Sequence, residues 1–91
     1  MDKITKVRVH ISTVKKAVEF CNILSRFNSS CQLRNVTDEA HKFIIDAKSI
    51  MGIFSLNLLD DFYLYIYDYN EESSSILREI NDFIISPIER S

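Results

Sequence analysis

Few side chains in this sequence have a type and setting suited to chemistry. It holds two histidines, His10 and His41, and two cysteines, Cys21 and Cys31. The cysteines match neither a metal-ligand spacing nor a disulfide framework. Both fall on apolar faces, and they are read as reduced core thiols. His10 alternates with Lys6 and Arg8 on the polar side of a strand pattern and is read as a surface imidazole. His41 stands beside a turn with no partner in sequence. Nothing here groups into a metal site, and no cofactor is expected. The stretch DAKSIMGIFSLNL, residues 46–58, is different in kind: Ser49 opens an apolar run that contains Gly52, the chain's sole glycine. Serine is a favoured helix N-cap. Glycine inside the helix costs about 1 kcal/mol relative to alanine, so its place there needs a close neighbour as the reason.

These residues must be carried by elements that periodicity reveals. Alternation predicts strands over 3–11, 31–35, 41–47 and 62–69. In the first, Val7, Val9 and Ile11 share one face; in the last, Phe62, Leu64 and Ile66 face one way and Tyr63, Tyr65, Tyr67 and Tyr69 the other. Helical spacing covers 14–27, with a stripe of Val14, Ala17, Val18, Cys21 and Leu24 behind an N-cap at Ser12 or Thr13. A short helix covers 49–56, with Asn57 as a left-handed stop. A last helix covers 71–85, with acidic residues in its first turn, a stripe of Ile76, Leu77, Ile80, Phe83 and Ile84, and Pro87 as its end. One apolar face per strand and one stripe per helix are satisfied by a single sheet with helices on one side. The fold class is therefore α+β, one domain over 1–91.

Composition limits the functions that remain. The 91 residues are 46% hydrophobic and 26% charged, an ordinary globular balance. A net charge of −2 gives no pull toward nucleic acid or an anionic membrane, and neither is expected as a partner. No apolar run approaches the roughly 20 residues of a membrane span. The first residues, MDKITKVRV, lack an apolar signal core, so a cytoplasmic protein is expected.

At Lys48 to Leu56, KSIMGIFSL resembles the K-S-I-M-G-x-x-S-L segment of the HPr family, the phosphocarriers of the bacterial phosphoenolpyruvate-dependent sugar phosphotransferase system. The element order is also similar to that of HPr. The resemblance implies an open-faced sandwich, a four-stranded antiparallel sheet with three helices on one face. It also implies a phosphoryl-accepting histidine in a G-I-H-A-R-P-A motif where the first helix begins. Here that stretch reads Ile11-Ser12-Thr13-Val14-Lys15-Lys16-Ala17, so Thr13 stands in the histidine's place and Lys15 in the arginine's. A threonine phosphoester lacks the transfer potential of a phosphoramidate, and Lys15 lacks the bidentate fork of arginine. His10 is then the one candidate for a displaced acceptor.

The same resemblance implies that Ser49 is a regulatory serine, modified by an ATP-dependent HPr kinase. A plain N-cap remains the alternative. A phosphate there would face the helix dipole and N–H groups with Lys48 adjacent. It further implies that Ile50, Met51 and Phe54 dock partner proteins. Tyr63, Tyr65 and Tyr67 have no such family counterpart and are read either as a solvated face paired with Lys6 or Arg8 or as a homodimer contact. The expectation is a non-enzymatic regulatory or binding protein related to the phosphotransferase system, acting through the Ser49 helix. A phosphocarrier using His10 and a structural or dimerisation module are the alternatives.

Overall fold

The structure, a computed structural model, describes residues 3–36 and 44–85 and the backbone at 89–90. β-Branched and aromatic alternation produces β1 (Ile4–His10) and β4 (Asp61–Tyr67), which pair antiparallel along their whole length. On the other side of β4 runs β2 (Ser30–Asn35), and beyond it β3 (Ile44–Asp46). A two-residue strand, β5 (Glu89–Arg90), extends the free edge of β1. The order is β3-β2-β4-β1-β5, antiparallel throughout. Residues 41–43 of the expected third strand, with His41, lie outside the described residues, as does Pro87.

Register decides what each face carries. Val7, Leu64 and Leu33 form one row across β1, β4 and β2 on the inner face. The next row, Arg8, Tyr63 and Arg34, lies on the outer face. Helices α1 (Val14–Leu24), α2 (Ile50–Phe54) and α3 (Ser73–Glu79) all contribute to one core over the inner face. The expected antiparallel open sandwich with three helices is thus present, its four expected strands extended by the two-residue β5 at the β1 edge.

Several boundaries and faces differ from expectation. Helix α1 buries Ala17, Phe20, Cys21 and Leu24, while Val14 and Val18 are exposed. The stripe is rotated toward Phe20, whose ring meets Phe83 edge-on at 5.0 Å. A helix this short buries one stripe, and the large ring displaces the valines from it. α1 also stops at Leu24, where the Ser25 hydroxyl turns back to the Cys21 carbonyl at 2.7 Å. Asn57 is not left-handed; α2 ends at a right-handed Ser55, and the Asn57 side chain accepts from the Leu59 N–H instead.

The last helix is the largest departure. Asn70 and Glu71 have φ of 52° and 59°, so no helix runs through them. α3 starts only at Ser73, whose N–H and hydroxyl both donate to Asp68. Its first turn holds no acidic residue. After a 3-10 turn at Asn81–Phe83 the chain extends, Ile84 bridges to Val9, and the Ile85 N–H donates to the Arg8 carbonyl. The pull of the β1 edge ends the helix that local spacing would continue.

Candidate functional site

The start of α1 is where phosphoryl chemistry would be sought. Ser12 is held at φ 72°, with its N–H donating to the Leu58 carbonyl. Thr13 follows as the N-cap, and its hydroxyl accepts from the Lys16 N–H at 3.1 Å. The position thus presents a hydroxyl committed to capping and no ring nitrogen. Lys15 is exposed, and Lys16 lies 3.8 Å from Glu19.

His10 is elsewhere. It sits at the end of β1 on the outer face, opposite the helices. Its Nδ1 lies 2.9 Å from Asp61 Oδ1, and Arg8 Nη2 donates to Asp61 Oδ2 at 2.9 Å. The Arg8 hydrogen bond, helped by His10 and opposed by desolvation, holds the Asp61 carboxyl below the usual range. His10 and Asp61 are cross-strand partners far apart in sequence, so only register reveals the pair.

Helix α2 answers the question of the single glycine. A Cβ on Gly52 would lie 2.7 Å from Ile45 Cγ2, so the helix rests directly on β3. Ser49 is the N-cap, and its hydroxyl accepts from the Gly52 N–H at 3.2 Å. Ile53 is fully buried and Ile50 packs partly against the core, whereas Met51 is 75% exposed and Phe54 42%. Ile50 therefore stands apart from the two exposed residues. Val14 and Val18, which periodicity assigned to the buried stripe of α1, and Leu59, on the segment after α2, are also exposed. Val14 lies one heptad before Cys21, whose thiol donates to the Lys48 carbonyl, so the valines flank the α2 side of α1. Exposed apolar side chains thus occur on α1, on α2 and on the segment after it.

The Lys48 ammonium does not meet Ser49. It donates to the Phe27 carbonyl at 2.6 Å, in the turn between α1 and β2. Both cysteines are free and buried, and burial pushes the Cys31 thiol up to about 11. Among the described residues no group of three or more His, Cys, Asp or Glu side chains is placed to hold a metal ion.

On the outer sheet face, Lys6 Nζ lies 4.0 Å from the Tyr63 ring centre and the Arg34 guanidinium 4.3 Å from that of Tyr65. The Tyr67 hydroxyl donates to Gln32 at 3.1 Å. Tyr69 lies beyond the end of β4. The row is paired within the molecule by Lys6 and Arg34, not by Arg8.

Neither a protein-family model nor a curated protein matches the sequence. Solved structures do. HPr-C-His from Thermoanaerobacter tengcongensis aligns over 85% of this chain and 86% of its own, with 24% identity and a TM-score of 0.65. The phosphocarrier protein HPr from Bacillus anthracis strain Ames aligns over 90% of this chain and 98% of its own, with 19% identity and a TM-score of 0.65. No helix among the described residues is long and apolar enough to cross a membrane. Likeness at this level of identity speaks for architecture, and the chain is HPr-like in fold, with a threonine capping the helix where the resemblance places a histidine.

Proposed function

We propose that this chain is a non-enzymatic, cytoplasmic regulatory or binding protein related to the sugar phosphotransferase system. It engages protein partners through α2 and carries no relayed phosphoryl group at α1. The observation that supports this reading is the pairing of Met51 and Phe54, exposed on α2, with a capping Thr13 at the start of α1. An apolar patch that includes a flexible thioether suits contact with a partner protein. Ser49 is the modification site in this reading, taking phosphate from ATP through an HPr kinase. Incubation with ATP and such a kinase, followed by intact mass, is expected to add one phosphate to the wild type and none to Ser49→Ala. An unmodified wild type removes the regulatory serine and leaves the partner surface to be tested by binding.

One observation favours a second reading. Asp61 holds His10 at Nδ1 and leaves Nε2 as the remaining ring nitrogen, an orientation a phosphoryl acceptor could use. Incubation with phosphoenolpyruvate and enzyme I distinguishes the two. An acid-labile phosphate absent from His10→Ala would make the chain a carrier. A dimerising module built on Tyr63, Tyr65 and Tyr67 is tested by sedimentation of the wild type against Tyr65→Arg.

A further inference from the structure

The turn between α1 and β2 is held from two directions. From the residue before the α2 cap, Lys48 Nζ donates to the Phe27 carbonyl at 2.6 Å. From the cap position before α3, Glu72 Oε1 accepts the Asn28 N–H at 2.9 Å, the Ser29 N–H at 2.8 Å and the Ser29 hydroxyl at 2.8 Å. Ser29 is buried, and its Oγ also accepts from the Tyr69 N–H at 2.9 Å. The two clamps sense one another, because the Lys48 charge is among those that favour ionised Glu72. The Lys48 backbone is pinned to α1 through the Cys21 thiol at 3.1 Å. Its ammonium, on a flexible four-carbon stem, is held by an uncharged oxygen.

We propose that Lys48 is a lever with two acceptors, the Phe27 carbonyl in the unmodified chain and a phosphate on Ser49 in the modified one. This rests on the reading of Ser49 as a modified serine. Modification replaces the Oγ–H bond by an Oγ–P bond; ADP leaves from ATP and the hydroxyl proton passes to solvent. The phosphate brings a charge of about −1.5 to −2 and three acceptor oxygens to the residue adjoining Lys48. The phosphate offers the ammonium a full opposite charge where the Phe27 carbonyl offers only a dipole, so the ammonium moves to the phosphate. Phe27 then loses its donor and Glu72 its nearby cation. The turn at 25–29 loosens, and a modification made at α2 is read out where α1, β2 and α3 meet.

The test installs phosphoserine at position 49 during translation, so it needs no kinase. Exchange of the Asn28 and Ser29 amides, measured by NMR against the unmodified chain, is expected to quicken about fivefold. Lys48→Met without phosphate is expected to show the same quickening, and phosphoserine added to it no more. Should that variant not fold, Lys48→Gln, which is shorter and removes the charge, serves in its place. Unchanged exchange at Asn28 and Ser29 in the phosphoserine chain overturns the lever. So does quickening of equal size with and without the Lys48 side chain's charge. Either outcome leaves Ser49 as a kinase target to its own experiment, and a chain the kinase ignores leaves the lever measurable.

Discussion

The two broad sides of this molecule both display aromatic or apolar side chains, but they treat them differently. On the open sheet face, Tyr63 lies under Lys6, Tyr65 under Arg34, and Tyr67 donates to Gln32. A partner settling there would displace cation–ring pairs worth about 0.5–1 kcal/mol each. On the helical side, Met51 and Phe54 stand out from a helix that has already buried Ile53 beneath it. Covering that patch removes apolar area from water at roughly 25 cal/mol per Å². Aromatic content alone does not mark an interface; what matters is whether the fold has already used it.

The strongest way to break this contrast is to charge one side and trim the other. Phe54→Asp is expected to slow modification of Ser49 by an HPr kinase by roughly thirtyfold, as the loss of a buried anchor does. Tyr65→Ala is expected to leave that rate within about twofold, because it lies on the other side of the sheet. Equal effects from the two variants, in folded protein, would dissolve the distinction between a used and an unused surface.

The next effect concerns how α2 is seated. Gly52→Ala is expected to lower stability by about 1–2 kcal/mol, since Ile45 is stiff at Cβ and cannot yield easily. With Ile45→Ala in place the clash is gone. The same glycine substitution is then expected to gain up to about 1 kcal/mol from helix propensity. Urea midpoints of the four proteins measure both signs. A glycine kept for a partner's approach, not for Ile45, would show no change of sign.

On the sheet face, Tyr65→Ala is expected to cost about 1 kcal/mol from its cation pairs, as a shift in the urea midpoint. Part of that loss should disappear in high salt, because the face is half-exposed. A salt-independent loss would mean that ring packing, not the cations, holds the row.

Much of this was legible beforehand where the signal is local. Strict alternation in 62–69 gave β4 and its two faces, and KSIMGIFSL placed Ser49 at a helix start. What stayed hidden depends on competition or distance. Val14 and Val18 fit a core stripe as well as Phe20 does until Phe83 arrives to meet Phe20. The end of α3 depends on Val9 and Arg8, far back in β1. Glu72 looks like a first-turn acid, yet it caps a turn more than forty residues away. His10 has no partner until register brings Asp61 opposite it.

The smallest effect comes from protons, and it divides the two sides once more. Asp61 on the sheet face and Glu72 at the α1–β2 turn are both held below the usual carboxylate range. For Asp61 the Arg8 hydrogen bond is the main cause. For Glu72 desolvation pushes upward, and hydrogen bonds from Ser29 and Asn28 outweigh it. A carboxyl that is more acidic folded than unfolded adds stability above its unfolded pKa and loses it as pH falls through the folded value. Stability should therefore be flat near neutrality and decline on acidification below the ordinary carboxylate range. Asp61→Asn and Glu72→Gln should each flatten part of that decline. The two substitutions should add, because the groups they change belong to separate networks. Both carboxylates are partly exposed, which keeps each contribution small. An acid limb of the urea-midpoint profile that is unchanged in the double variant would place the proton-sensitive groups elsewhere in the chain.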